Sequence, residues 1–392
     1  MRLARWSVAA MAAVALGLLP AAGCRPPDPE PAAPEAEPPL LKVGHVGHDH
    51  HLALYVAALE GPRFRKDYGI YLQEVKPQEI YDLVDGTQTL ARLQLLKVGG
   101  GSQMPAAMSR GEIQIGLGGT PAVAKFADEG QPMRIIAPLQ TDGDMLVMHR
   151  DSPIADWPGF VGAAKAAEKP LKIGYKAPTA VAKLVFERAL KAEDIPYAVD
   201  PADAQAKVIL VNFGSEASPV PLLESKALDG FVMNQPGCAV AVHKGLGKVV
   251  ADLCDLPPKG KWLYHPCCCV AATDETLKAH PGAIKGLLKV LHLAAQIIRD
   301  EPAVAVDCAV RWTKTAKEVE TASVPTNRYV SEPTDAWIAG MRTWAEMAAD
   351  IRLFTGKYAA MAPDAFVQDV CALDLCREAA AELRTKGLLK SP

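Results

Sequence analysis

Histidine and cysteine carry the most chemistry in this sequence, and both are clustered. Four of nine histidines fall within His45 to His51, in the run Gly47-His48-Asp49-His50-His51, and three of nine cysteines stand together in His265-Pro266-Cys267-Cys268-Cys269. Imidazole and thiolate are the usual ligands of zinc, copper and iron, which makes His48, His51, Cys267, Cys268 and Cys269 a candidate metal set. Plain packing accounts for each cluster equally well. Buried cysteine behaves as a small apolar residue that could fill a strand before Val270-Ala271-Ala272, and histidines at a helix start serve as caps on a solvated surface. The sequence leaves both open. Three glycines, Gly99-Gly100-Gly101, precede Ser102 and Gln103. They let backbone approach a small anion or zwitterion, with Ser102 placed to cap a helix beginning near Met104. No Gly-Lys-Ser or Gly-Lys-Thr follows, so this is not a phosphate loop of the nucleotide-hydrolase kind. No Gly-x-Ser-x-Gly elbow, His-Glu-x-x-His helix or spaced pair of Cys-x-x-Cys motifs occurs.

The elements that must position these residues are short apolar strands alternating with amphipathic helices from Leu41 onward, which predicts α/β layers with mainly parallel sheets. Strands are expected at Leu41 to His45, Leu93 to Val98, Ile113 to Leu117, Met133 to Ala137, Leu171 to Tyr175, Val208 to Val211 and Phe231 to Met233. Helical periodicity marks Val181 to Ala192 and Ala283 to Arg299, and from Asp274 the chain reads as helical to its end, interrupted near Pro325 and Pro333. One internal similarity stands out. Gly111, the strand Ile113 to Leu117, Pro121 and Gly130 have counterparts in Leu228-Asp229-Gly230, Phe231 to Met233, Pro236 and Gly245, each Pro suited to a first helical turn and each Gly to a C-terminal cap. Two similar α/β lobes facing each other across a cleft would explain it. Ligands of open α/β sheets collect beyond the carboxyl ends of strands. That rule selects His48, Asp49, His50, Ser102, Gln103, Thr120, Thr179, Asn234 and Gln235 as ligand-binding candidates, with Tyr55 and Tyr175 framing the site and the loop Lys176-Ala177-Pro178-Thr179 among those facing it.

The first residues address the compartment. Arg2 and Arg5, an apolar run from Val8 to Leu19 and Ala21-Ala22-Gly23-Cys24 read as a signal peptide over residues 1–23, too short in its apolar part to span a bilayer. The ending resembles the bacterial lipobox, with Ala21 in place of the commoner Leu, which implies lipidation of Cys24. Arg25 to Leu40 holds seven prolines and four acids, so residues 24–40 are expected to form an extended tether from a lipid-anchored Cys24. The rest is ordinary globular composition, 49% hydrophobic with a formal charge of −3, and no basic block invites nucleic acid. In an oxidising compartment Cys371 and Cys376 could form a disulfide, provided the helix breaks between them.

At these residues the sequence resembles the periplasmic binding proteins of the nitrate/sulfonate/taurine class, which share a two-lobed fold with the thiamine-pyrimidine synthases of fungi. The matching pieces are Leu41 to Gly44 leading to a helix at Leu52, Met108-Ser109-Arg110-Gly111-Glu112-Ile113-Gln114-Ile115-Gly116, Gly130-Gln131-Pro132, Leu171-Lys172-Ile173-Gly174-Tyr175, and Leu228-Asp229-Gly230 with Pro236. The resemblance implies a two-lobed periplasmic-binding-protein fold with a central cleft and C-terminal helices: residues 41–147 with 270–392 as lobe one and 148–269 as lobe two. It also implies a monomeric receptor, not an enzyme, that closes on a small polar or anionic molecule. An ABC permease and ATPase would take the ligand from it at the periplasmic face of a bacterial membrane. No organic cofactor is implied, and a metal ion fits the His and Cys clusters. A second resemblance supplies a rival. The fungal synthases carry a cysteine run shortly before a helix start like Asp274-Glu275-Thr276-Leu277-Lys278, and that likeness implies an iron-dependent enzyme using His50 or His51. Here Val270-Ala271 follows Cys267-Cys268-Cys269, so the run is partial.

Overall fold

The computed structural model describes residues 37–390 apart from Glu216. The signal peptide, Cys24 and nearly all of the tether lie outside the described residues. Among the described residues fourteen strands form: β1 (Leu40–His45), β2 (Ile70–Lys76), β3 (Ile80–Asp85), β4 (Gln88–Lys97), β5 (Ile115–Gly119), β6 (Met133–Asp142) and β7 (Asp144–His149) in the first half. They continue with β8 (Leu171–Tyr175), β9 (Tyr197–Ala198), β10 (Val208–Asn212), β11 (Gly230–Asn234), β12 (Gly247–Asp252), β13 (Pro266–Thr273) and β14 (Asn327–Arg328).

These make two sheets, one of eight strands in the order β14-β6-β13-β5-β1-β4-β3-β2 and one of six in the order β12-β7-β11-β8-β10-β9. The architecture is the mixed α/β, two-sheet arrangement expected, and the internal similarity extends to topology. The series β6-β13-β5-β1-β4 in the larger sheet corresponds to β12-β7-β11-β8-β10 in the smaller, with parallel and antiparallel pairs in the same places. The larger sheet departs from the expected parallel character. β2 and β3 form an antiparallel hairpin on β4, and β13, β6 and β14 also pair antiparallel.

The chain crosses between sheets twice. It leaves the larger sheet at Gly143, where Asp142 (φ 65) and Gly143 (φ 72) put two successive residues in the left-handed region, and enters the smaller one at Asp144. It returns through Tyr264 (φ 61) and His265 to Pro266, which pairs with Thr141. The crossings thus fall about four residues before the expected boundaries at 147/148 and 269/270, because β7 belongs wholly to the smaller sheet and β13 wholly to the larger.

The C-terminal helices cover the larger sheet. Pro281–Asp300 is the longest helix among the described residues, and the face carrying Ile284, Leu287, Leu288, Leu291, Ala295 and Ile298 is buried against the core, as its period predicts. Further on, the helix Pro363–Val370 stops before Asp374–Thr385 begins, so the break required for a Cys371–Cys376 disulfide exists. Both thiols are nonetheless free, which corrects the expected pairing. Cys376 Sγ turns inward to the Ser331 carbonyl at 3.3 Å while Cys371 lies in an isolated bridge beside Ile135. Among the described residues no helix is long and apolar enough to cross a membrane.

Candidate functional site

The strand β1 ends at His45, and Gly47 (φ 83) turns the chain so that its N–H donates to the Tyr55 hydroxyl at 2.8 Å. His48 then caps a short 3-10 turn, Asp49–His51, its Nδ1 accepting the His50 N–H at 3.2 Å. The apolar helix Leu52–Leu59 continues the turn and is buried almost throughout, which fixes the loop against the core. The turn sends its side chains in different directions. His50 points into the space between the two sheets. His51 Nδ1 accepts the Val46 N–H at 3.2 Å instead. Asp49 turns away from the cleft to Ser323 Oγ, with Glu320 close by, and the Tyr329 hydroxyl donates to its backbone oxygen at 3.0 Å. Burial and the neighbouring Glu320 hold the Asp49 carboxyl well above its ordinary pKa, and its contact with Ser323 makes it a structural group rather than one facing ligand.

The cysteine run meets His50 on the returning strand. Adjacent residues of a regular strand point to opposite faces, but the β13–β6 register slips between Pro266 and Cys268 and again between Cys268 and Cys269. The irregularity presents two successive thiols, Cys267 and Cys268, to the cleft, with Sγ atoms 3.3 and 3.7 Å from His50 Nδ1. Cys269 is buried in the core. His50 Nε2 faces the Gly143 carbonyl at 3.4 Å; a carbonyl only accepts, so Nε2 carries the hydrogen and Nδ1 presents its lone pair to the thiols. Asp144 Oδ2, 3.3 Å from Cys267 Sγ, competes with His50 Nδ1 for the one Cys267 thiol hydrogen.

The charges in this cluster are tightly linked. The neighbouring Cys267 thiol, then His50 and His51, outweigh burial and hold the Cys268 thiol well below its usual range, while burial pushes Cys267 up. Burial favours neutral His50, yet Cys268, Asp144 and the Gly143 carbonyl together raise its pKa. The arrangement is two thiols beside an imidazole, all three buried. His50, Cys267 and Cys268 place one donor atom each within 4.8 Å of one another. Two ligands of a tetrahedral zinc stand about 3.4–3.8 Å apart, given Zn–N near 2.0–2.1 Å and Zn–S near 2.3 Å. The His50–thiol distances of 3.3 and 3.7 Å lie near that range, so this donor set is compatible with a metal ion.

Around the cluster lies a cavity of about 60 Å³ bounded by both sheets. The larger sheet contributes His48, His50, Ser102, Cys267 and Cys268; the smaller contributes Asp144, Lys176, Ser215 and Asn234. The Lys176 ammonium, its pKa lowered by burial, donates to Asn234 Oδ1 at 3.2 Å. Of the residues chosen from sequence, His48, His50, Ser102, Asn234, Cys267 and Cys268 meet here. Asp49, His51 and Cys269 do not line the cavity, and Gln103 faces a separate one beside Arg110. Gln235 Oε1 instead accepts the Ala239 N–H at 3.0 Å, Thr120 begins the helix Thr120–Asp128, and Tyr55 stacks on Trp312. Tyr175 and Thr179 do not line the cavity; the Tyr175 ring lies under Lys183. Asp144 and Lys176 were not selected, although Lys176 sits in a loop assigned to the cleft and Asp144 opens a crossing strand.

Residues 35–311 match the NMT1-like family. An uncharacterized protein of Methanocaldococcus jannaschii is 34% identical over 116 residues, 29% of this chain and 80% of that protein. Among solved structures, the zinc-bound ligand-binding component of an ABC-type import system from Staphylococcus aureus is 15% identical, with TM-score 0.66 over 87% of this chain and 99% of that one. The periplasmic nitrate-binding protein of Synechocystis is 18% identical, with TM-score 0.65 over 91% and 92%. The alkanesulfonate-binding protein of Xanthomonas axonopodis, bound to MOPS, is 14% identical, with TM-score 0.59 over 82% and 96%. At such identities these three share the fold.

Proposed function

The chain belongs to the NMT1-like family, and on that premise we propose that it is the solute-binding component of an ABC importer, a receptor rather than an enzyme. It captures a small polar or anionic molecule between its lobes and passes it to a permease and an ATPase. The observation that carries this reading is the cavity itself, bounded by loops at the carboxyl ends of strands in both sheets and lying beside both crossings, where a hinge would close it. Lys176 offers a positive charge, and Ser102 and Asn234 offer hydrogen bonds, to an anion held there. With lobes as close as they stand, about 60 Å³ corresponds to roughly four water positions, enough for a compact anion of a few atoms. Signal cleavage before Cys24, lipidation of that residue and the tether 24–40 would hold the monomer on the periplasmic face of a bacterial membrane, by lipid alone. Native mass spectrometry of protein purified from its host tests the reading. A stoichiometric small ligand that Lys176→Met loses is expected; protein that never carries or is stabilised by a small molecule rejects it. Cys24→Ala should move the protein from the membrane to the soluble fraction, and an unchanged distribution rejects the anchor.

The donor set His50, Cys267 and Cys268 favours a second reading, in which the ligand is or includes a metal ion. Zinc binding lost on Cys268→Ser and on His50→Asn is expected, and retention in both variants rejects it. The iron-dependent synthase rival predicts covalent change at a histidine when the protein meets iron, pyridoxal phosphate and oxygen. Mass spectrometry showing His50 and His51 unmodified eliminates it.

A further inference from the structure

Beside the cavity, a second trio of donors closes on one point, with Asp144 and Cys267 in the cavity lining and His265 outside it. Asp144 Oδ2 lies 3.3 Å from Cys267 Sγ and 3.6 Å from His265 Nε2, and the three donor atoms all fall within 4.8 Å of one another. All three residues are buried, His265 at 1% exposure. Its other ring nitrogen fixes the tautomer: Nδ1 lies 2.6 Å from the Trp262 carbonyl, which accepts only, so Nδ1 carries the hydrogen and the Nε2 lone pair faces Asp144 and Cys267. Nε2 makes no hydrogen bond of ordinary length there. A histidine whose far N–H is tied to a backbone carbonyl while its near nitrogen faces a thiol and a carboxylate has the outer-shell arrangement of a metal ligand. His50 shows the same arrangement on the Gly143 carbonyl.

We propose that Asp144, His265 and Cys267 form a metal site at the hinge for a divalent ion of the zinc class, with Cys267 bridging it to the His50–Cys267–Cys268 trio. The nitrogen, oxygen and sulfur donors suit zinc rather than calcium or magnesium, and the two separations from Asp144 Oδ2, 3.3 and 3.6 Å, lie near the edges of a tetrahedron of about 3.4–3.6 Å. The nearby Asp142 carboxylate, 3.6 Å from His265 Nδ1, is itself paired with Arg328 at 2.8 Å. The location has a mechanical meaning. Asp144 begins the strand that leaves the larger sheet, and His265 to Cys267 end the segment that returns to it, so one ion would join both crossings. Without an ion, a proton on His265 is the competing occupant. Burial disfavours it, but Asp144 and Asp142 favour it and raise the pKa.

The site stands independently of the receptor reading and shares only Cys267 with the metal reading of the cleft. The test is zinc stoichiometry of the metal-stripped full chain by native mass spectrometry, paired with cobalt(II) titration followed by thiolate-to-metal charge-transfer absorption. Wild type should bind two equivalents. Asp144→Asn, which preserves shape, and His265→Asn should each retain one, and His50→Asn should retain the other. One equivalent lost only through His50 overturns the hinge site and leaves the cleft site standing; one lost only through Asp144 or His265 does the reverse. No binding by wild type overturns the hinge site. Should His265→Asn unfold, Asp144→Asn and the wild-type count still decide.

Discussion

Gly100 offers a direct way to wedge the two lobes. It sits in extended backbone (φ −172) at the edge of the cavity, so a side chain there meets no backbone strain. A Cβ would, however, stand 2.8 Å from the Cβ and 3.2 Å from the Oγ of Ser215, which lies on the other side of the cavity. Normal carbon–carbon contact is about 3.5–4.0 Å, so alanine already demands roughly 1 Å of separation and the branches of valine demand more. Over-packing of this kind costs about 1–3 kcal/mol, and in the receptor reading it falls on the arrangement with the two lobes together. Converted to a population, that shifts closure and ligand affinity by about 5- to 150-fold. Gly100→Val should therefore enlarge the radius of gyration by small-angle scattering and reduce the fraction purified with ligand, at nearly unchanged thermal stability of ligand-free protein. Gly162→Ala is the control, since a Cβ there meets nothing within 4 Å. A Gly100→Val protein with wild-type radius and ligand occupancy would refute the assignment of this contact to lobe closure.

Three further outcomes follow from groups outside the cleft. Burial lowers the His292 pKa to about 4 from 6.5, so the folded state holds it neutral; its stabilising contribution is complete above about pH 6.5 and is lost as pH falls toward 4. That loss approaches 3 kcal/mol in urea melts, and a His292→Asn protein with the same acid slope as wild type refutes it. Asp128 accepts the N–H groups of Thr355 and Gly356 on Oδ2, both at 2.8 Å, and of Tyr358 on Oδ1 at 2.7 Å. Either amide orientation of Asp128→Asn turns an NH₂ onto a backbone donor, costing about 2–3 kcal/mol; a cost under about 0.5 kcal/mol in denaturant titration contradicts the geometry. Thiol alkylation of denatured, unreduced protein should label both Cys371 and Cys376, and a disulfide-linked peptide joining them would overturn their free state.

Much of the framework was legible because its periodicities are strong. Leu171 to Tyr175 reads as a strand and forms one, and the long helix within Pro281–Asp300 declares itself through its apolar stripe. The hairpin β2–β3 escaped notice because the second half of β2, Gln73 to Lys76, is exposed and lacks alternation. The site divides in the same way. Which loops face the cleft follows from strand ends, and so His48, His50, Ser102 and Asn234 were found. Where a side chain points depends on partners remote in sequence. Asp49 is drawn off by Ser323, 274 residues away, and the slipped register of β13 decides which two of three cysteines face inward. Lys176 and Asp144 draw their significance from neighbours on other strands, and no local spacing announces that.

The pairing of Thr141 with Pro266 makes the smaller sheet an insertion between two neighbouring strands of the larger one. Everything from Gly143 to His265 leaves and re-enters the parent lobe at adjacent points, so a short turn could close the gap if that segment were removed. The two lobes are in this sense separable inheritances. One supplies the imidazole and thiols and the other the lysine, asparagine and serine, so exchanging the inserted segment between relatives would change half of the recognition surface while leaving the His50–Cys267–Cys268 trio in place.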